Sequence, residues 1–472
     1  MNSADRLRKL PSVDGILKCG ELADLRDRFA HPLLSEWVRA AVEACRQNLL
    51  NGAELDDDAT RQFVLREVRL QAECDDGQLQ RHVINATGIL LHTNLGRAPL
   101  ADRAIARMND AAAYASVELN LQTGRRCRRG ERAMKLLATL AGSDDALVVN
   151  NCAAATMLVL HGTAAGREVV ISRGQLVEIG GGFRLPEVFA AAGVTLKEIG
   201  TTNRTYLHDY ERAISENTGA VIRVHRSNFR QTGFVTEPSI QELAAMQRPA
   251  DLPVIDDVGS GCIHDLTAFG LQEPTVSASV RAGANVTLFS GDKLFGGPQC
   301  GIIVGRQKWI DRLRSSPLMR AIRVDKLTLA ALEATTEVHL SGNAFGELPL
   351  LKMLSKDLSA IRAECEAIVA ALKSTHAALF VDVVECDAEI GGGSVPGFTI
   401  SSCAIRVRGS ADGTTFDPDA IAKRLRTGRP AILPRISEDA LLLDLRTVAD
   451  AEFPALTERL RAALAGCVSG GA

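Results

Sequence analysis

Between about residues 81 and 340, short apolar runs alternate with helical stretches, and each run ends in polar residues or glycine. The runs are Ala146 to Val149, Val169 to Ser172, Ala220 to Val224, Val254 to Asp257 and Val286 to Ser290. They read as buried strands, and most are separated by a helix. This pattern constrains the chain to an α/β architecture with a mostly parallel sheet, whose ligand groups sit at the C-terminal strand ends.

The flanks differ. Residues 1 to about 80 carry helical periodicity and no strand signal. Trp37, Val38, Ala41, Val42, Cys45 and Leu49 fall mostly on one face of a helix over Ser35 to Leu50. A second helix is expected after Asp56-Asp57-Asp58, because acidic residues favour a helix N-terminus. Its apolar positions Phe63, Val64, Val68 and Leu70 should face a partner. A break at Ser341-Gly342-Asn343 opens a small α+β region. There a helix is expected over Leu351 to Leu372, strands near Phe380 to Val384 and Phe398 to Val407, and a helix over Pro418 to Leu425. Two short strands and a last helix, Ala451 to Leu464, complete it, with a disordered tail Ser469 to Ala472. The expected units are therefore 1–80, 81–340 and 341–472.

Composition narrows the class. The 54 Lys and Arg nearly balance 57 Asp and Glu, so no global basic field exists and nucleic-acid contacts must be local. Eleven scattered cysteines without a Cys-x-x-Cys pair read as reduced thiols. No metal cluster is apparent among the nine histidines. The charged first segment lacks the apolar core of a signal peptide, and no run is long enough to span a bilayer. The expectation is a cytoplasmic protein with no membrane partner.

The segment SGDKLFGGPQCG, Ser290 to Gly301, carries the most chemistry. Lys293 follows a buried strand and precedes Gly296-Gly297-Pro298. A partly buried lysine can lose its proton and form a Schiff base with an aldehyde cofactor, chiefly pyridoxal 5'-phosphate. The remaining needs of that cofactor can then be sought. Its phosphate needs a helix N-terminus, which VVNNCAAAT (Val148 to Thr156) supplies through Cys152 and Ala153, with the Ser290 hydroxyl nearby. Its pyridine nitrogen needs a carboxylate, and IDDVGSG offers Asp257, with Asp256 as the alternative. Its ring hydroxyl needs a donor, for which Asn228 in HRSN is the candidate. The chain order of phosphate loop, hydroxyl partner, nitrogen partner and lysine fits an aminotransferase-like enzyme of fold type I.

At this point the chain resembles the bacterial selenocysteine synthases, the family of L-seryl-tRNA(Sec) selenium transferases, over nearly its whole length. The resemblance rests on LPSVDGIL, RHVINATGILLHTNLGRAPL (Arg81 to Leu100), SRGQLVEIGGGFRLPE (Ser172 to Glu187), GTTNRT, HRSNF, DVGSG, SGDKLFGGPQCG, PLMRAIRVDKLTLAALEAT (Pro317 to Thr335) and LLLDLRTV. Cys152, Phe295, Cys300 and Arg226 depart from the family's usual residues without removing a group that the chemistry needs. The resemblance implies conversion of seryl-tRNA(Sec) to selenocysteinyl-tRNA(Sec) with selenophosphate. The route passes through a cofactor-bound aminoacrylyl-tRNA, with Lys293 as acid and base and Asp292 tuning it. It further implies Arg97, Arg320 and Arg323 as the clamp for the donor anion, a helical N-terminal domain that holds tRNA, and a homodecameric ring.

Three features stay outside this kit. The basic turn RRCRRGER (Arg125 to Arg132) is a further candidate for RNA phosphates. Gly180-Gly181-Gly182 reads as a loop near the substrate. DNA is not an expected partner. Two other readings stand against the family's: a lyase of the same fold acting on a free amino acid, and a catalytically inactive tRNA-binding protein.

Overall fold

The computed structural model describes residues 7–53, 55–179, 182–373, 379–409 and 416–465. The tail from Ser469 and two glycines of the triplet, Gly180 and Gly181, lie outside the described residues. By contact the chain divides into two compact units, residues up to 82 and residues from 83 onward.

In the first unit, helices span Val13–Lys18, Ala23–Arg28, His31–Leu50 and Asp57–Gln78. Asp56 caps the last of these by accepting from the Ala59 amide at 2.8 Å, which satisfies one orphan donor of the first turn. Leu34, Trp37, Val38, Ala41, Val42, Cys45 and Leu49 are buried against Val64, Leu65, Val68 and Ala72. Leu70 corrects the expectation: it is 46% exposed. Two positions beyond Val68 on a helix is about 200° around the axis, so Leu70 points away from the 64–68–72 stripe.

In the second unit the described strands form a seven-stranded sheet, a five-stranded sheet and a two-stranded one. Among the described residues, fourteen strands occur in chain order: β1 Val83–Ala86, β2 Asp145–Val149, β3 Glu168–Ser172, β4 Glu178–Ile179, β5 Phe183–Arg184 (β4 and β5 being the two-stranded sheet), β6 Thr195–Ile199 and β7 Thr218–Val224. They continue with β8 Val254–Gly259, β9 Val286–Ser290, β10 Gly301–Gly305, β11 Leu379–Glu389, β12 Thr399–Gly409, β13 Ala431–Ser437 and β14 Ala440–Asp444. The large sheet has the order β2-β10-β9-β8-β7-β3-β6 and is parallel except for β10. Its inner strands are mostly apolar on both faces because both are covered, whereas the edge strand β6 carries exposed Thr195 and Glu198. Ile171, Ile222, Ile255 and Leu288 pack against helices Cys152–Ala164 and Gln307–Arg314. Their neighbours Val170, Val221 and Val254 pack on the opposite side with Tyr210 and Leu243. Continuous Val/Ile/Leu runs are what such double burial selects.

The small sheet has the order β1-β13-β14-β12-β11. Its edge strand β1 comes from residue 83, far upstream, and pairs in parallel with β13. The single helix expected over Leu351 to Leu372 is two, Pro349–Ser355 and Leu358–Lys373. Asp357 causes the break: its carboxylate accepts from the Ser359 amide and hydroxyl, and its carbonyl accepts from the Ile361 amide, so it starts a new helix.

Parallel strands deliver their C-terminal ends to one edge of the large sheet. Asn151–Ala153, His225–Asn228, Asp257 and Ser290–Lys293 all leave the sheet there. The small sheet adds to this edge, since Leu90 and Leu91 donate to the carbonyls of Glu389 and Ile390 at 2.9 and 2.7 Å.

Candidate active site

The first wall is the start of helix Cys152–Ala164. Asn151 caps it by accepting from the Ala154 amide at 2.9 Å, while the earlier amides of Cys152 and Ala153 remain available to an anion. Close packing beneath needs Gly301, where a Cβ would lie 2.1 Å from the Asn151 carbonyl. The Cys152 thiol donates towards Asp257 Oδ1 at 3.9 Å. Burial raises its pKa well above the ordinary value, so it is a thiol rather than a thiolate.

The two carboxylates of β8 go to opposite faces, as the period of a strand demands. Asp256 is an ion-pair partner of Arg223 at 2.9 Å and accepts from Ser279 at 2.6 Å. Asp257 faces the helix start instead. It accepts from the Gly259 amide at 3.0 Å and the Thr156 hydroxyl at 3.4 Å. Burial raises its pKa to about 7, opposed chiefly by the charge of Lys293. A buried carboxyl with only neutral hydrogen-bond donors is set up to receive a cation.

Lys293 is buried in a loop pinned at every turn. Gly291 N donates to Cys300 O, Gly297 N to Gly291 O, Gly296 N to Lys293 O and Leu294 N to Ser260 O, each at 2.8 Å. Gly291 is required here, because a Cβ would meet the Cys300 sulfur at 2.4 Å. Asp292 turns away from solvent into an ion pair with Arg97 at 2.5 Å. Arg97 itself has a left-handed backbone, φ 65°. The Phe295 carbonyl accepts from His339 at 2.8 Å, and His339 is in turn 3.0 Å from His264. Phe295 O can only accept, so His339 carries its proton on Nε2 and takes one from His264 on Nδ1.

At the end of β7 the Asn228 amide Nδ2 donates to Glu178 O at 2.7 Å, leaving Oδ1 buried without a partner. As oriented, Asn228 offers an acceptor where a donor was expected. Arg226 turns outward to Glu237 at 3.1 Å and Gln231 at 2.8 Å. His225 has a buried, unpartnered Nδ1, and burial with the charges of Arg223, Arg226 and Lys293 lowers its pKa to about 4. His92 likewise keeps a buried Nδ1 without a partner. The sequence reading did not single out either histidine. Their signal was weak, a histidine next to each of two motifs, HTNLGR and HRSN.

Arg320 and Arg323 are exposed. Arg323 pairs by backbone with Val149, and Asn150 N donates to Ile322 O at 2.9 Å, so this segment borders the helix start. The basic turn is less free than its composition implies. Arg126 pairs with Glu118 at 2.7 Å, Arg129 donates to Val324 O at 3.0 Å, and Arg132 pairs with Glu333 and Glu337 at 3.1 and 2.6 Å. Arg125 and Arg128 stay exposed.

Residues 83–449 match the family described as L-seryl-tRNA selenium transferase, and residues 7–46 match Selenocysteine synthase N terminal. The chain belongs to the L-seryl-tRNA selenium transferase family. Among curated members of that family, L-seryl-tRNA(Sec) selenium transferase of Moorella thermoacetica is 41% identical and is covered completely, as is this chain. The protein of the same name from Carboxydothermus hydrogenoformans is 40% identical, with 95% of each chain aligned. Among solved structures, D-glucosaminate-6-phosphate ammonia-lyase superposes with a TM-score of 0.55 at 23% identity, over 83% of this chain and 97% of that one. That likeness concerns the fold, which is the fold-type-I architecture expected from the chain order of the cofactor-binding groups. No helix among the described residues is long and apolar enough to cross a membrane.

Proposed function

We propose that this chain converts L-seryl-tRNA(Sec) to L-selenocysteinyl-tRNA(Sec) in selenocysteine biosynthesis, with selenophosphate as donor and pyridoxal 5'-phosphate as cofactor. One observation carries the reading. A buried lysine, a buried carboxyl without a counter-ion and an open helix N-terminus converge on one sheet edge, in a chain about 40% identical over nearly its full length to enzymes of that name.

The residues fit the cofactor. The amides of Cys152 and Ala153, with Ser290, would hold the phosphate, and Asp257 would balance a protonated ring nitrogen. Asn228 would meet the ring hydroxyl through its unpartnered oxygen. Lys293 would carry the aldehyde carbon. When bound, the cofactor supplies a sink for the electrons left when the α-proton departs.

The chain's own work is to move protons and hold charges. Lys293 takes the α-proton and is placed to return a proton to the departing β-hydroxyl. Asp292, locked to Arg97, fixes the loop on which Lys293 moves. Arg97, Arg320 and Arg323 attract selenophosphate; a guanidinium fork matches its oxygens. The hydrogen bonds of Cys152 and Thr156 to Asp257 keep its carboxylate aimed inward.

The N-terminal helical unit holds the tRNA body. The enzyme works as a cytoplasmic homo-oligomer, a decameric ring in this reading. Exposed Tyr114, Leu119 and Leu121 offer apolar surface for a second copy. The decisive assay incubates purified protein with seryl-tRNA(Sec) and selenophosphate and analyses the amino acid released from the tRNA. Selenocysteine is the expected product, and recovery of serine alone overturns the reading. Removal of residues 1–75 should leave cofactor absorption intact and remove most tRNA(Sec) affinity at fixed salt. Full affinity after truncation would transfer the role to the basic turn.

A further inference from the structure

One turn of the small sheet enters the site without a task in the reading above. Gly391, Gly392 and Gly393 follow one another in left-handed backbone, φ 73°, 64° and 70°, and Val395 stands at φ 50°. A β-branched residue in that region is strained, and such strain persists only where the surroundings over-determine it. Here they do. A Cβ on Gly391 would lie 2.4 Å from Ile89 Cγ2, and one on Gly392 would lie 2.7 Å from the Leu91 carbonyl. The Gly393 Cβ position is 3.7 Å from Asn228 Cβ, ordinary contact. Val395 is buried in a cluster with Leu91, Ile390 and Leu294, the neighbour of Lys293. Between these two anchors lies Ser394.

Ser394 is 2% exposed, and its amide donates to Gly391 O at 3.0 Å. Its hydroxyl is buried with no hydrogen-bond partner, as is the oxygen of neighbouring Asn228. Unpaired buried hydroxyls are rare because desolvation is left uncompensated, and a bound ligand is one way to compensate it. We propose that Ser394 is a substrate-binding residue whose hydroxyl donates to the acyl carbonyl oxygen of the ester joining the aminoacyl group to tRNA. This rests on the function proposed above.

The chemistry favours that atom over the others the substrate brings. The amino group is taken up by the cofactor and the β-hydroxyl leaves, whereas the ester carbonyl is an acceptor throughout. It is also neutral. One neutral hydroxyl suits an ester, but it does not repay the desolvation of the carboxylate of a free amino acid, which calls for a cation. Ser394 therefore reads the ester and helps to separate charged tRNA from free serine. A strained turn clamped by three glycines holds the hydroxyl still enough to do so.

The test uses the full-length, cofactor-loaded enzyme and its Ser394→Ala variant, without selenium donor. Affinity is measured for seryl-tRNA(Sec) and for uncharged tRNA(Sec) at one salt concentration. The absorption of the lysine-bound cofactor should be unchanged. Affinity for seryl-tRNA(Sec) should fall about tenfold, the loss of one neutral hydrogen bond together with its unpaired partner, while uncharged tRNA binds as before. Equal losses for the two tRNAs, or none, would overturn the assignment. Should the alanine variant fail to load cofactor, Ser394→Cys, which keeps the volume and weakens the donor, is read by the same two affinities. A wild-type enzyme that makes selenocysteinyl-tRNA while Ser394→Ala discriminates normally defeats this inference alone. A wild-type enzyme that makes none defeats the underlying function and this inference with it.

Discussion

Lys293 and Arg323 both lie near the start of helix Cys152–Ala164, yet their surroundings are built on opposite plans. Lys293 is buried, its loop is tied by four backbone hydrogen bonds, and its neighbour Asp292 is neutralised by Arg97. Arg320 and Arg323 are exposed on a short segment whose regular contact is a backbone bridge to Val149. A buried charge needs a fixed partner, whereas an exposed one acts through a screened field and can meet a small, mobile anion. The site thus has a rigid end suited to a resident group and an open end suited to one that comes and goes.

Substitutions should separate these ends. The largest effect belongs to Lys293→Ala: loss of the lysine-bound cofactor absorption and of turnover by at least about 10³-fold. Retention of that spectrum would break the assignment of the rigid end. Asp257→Asn comes next, with turnover down about 100-fold and cofactor still bound, since removing one preorganised electrostatic partner costs that much. Asp256→Asn should instead lower thermal stability, because it breaks the ion pair of a buried carboxylate with half-buried Arg223. A dead Asp256→Asn that is fully stable, beside an active Asp257→Asn, would reverse the choice between them.

The same pair carries a pH dependence. In the free protein Asp257 is protonated below about 7 and charged above, so below that value pairing with a protonated ring nitrogen must first displace the carboxyl proton. Cofactor affinity should rise as pH increases through that value in the native protein. Titrations of both proteins against cofactor should give no such step for Asp257→Asn.

The open end should show smaller, more selective losses. Arg320→Ala or Arg323→Ala should weaken use of selenophosphate by about 10- to 100-fold, the range for a charge-assisted hydrogen bond, and leave binding of seryl-tRNA(Sec) nearly intact. Varying selenophosphate at saturating seryl-tRNA(Sec) measures this. Equal losses in both steps would mean that the segment supports structure and does not hold the anion.

The rigid end was also the legible one. Lys293, Asp257 and the helix after Val149 sit next to strands whose apolar runs can be read locally, so order along the chain foretold neighbourhood in space. The antiparallel β10 was also within reach, since residues 291–300 are too few for a crossover to a parallel strand. Other features depended on distant partners. Glu118, Glu333 and Glu337 absorb much of the charge of the basic turn. Asn228 was expected to donate into the site, but Glu178 captures its amide. Gly393 and Asn228 come into contact only because a turn of the small sheet reaches across to the large one. No local periodicity encodes such encounters.

The membership of β1 in the small sheet bears on how the molecule is made. Val83 pairs with Ala431 and Ala86 with Pro434, so one of the earliest strands off the ribosome waits for one of the last. Until then the stretch that follows β1, including Leu90, Leu91 and Arg97, lacks its support from Glu389 and Ile390. The large sheet can close during synthesis, but Arg97 cannot be held against Asp292 from both sides until the chain is nearly finished. Pairing across so many residues is slow, and it leaves an unpaired edge exposed meanwhile. A ribosome that stops early releases a chain whose lysine loop keeps its own backbone bonds but lacks the braced Arg97 against Asp292, so the catalytic centre matures only with completed translation.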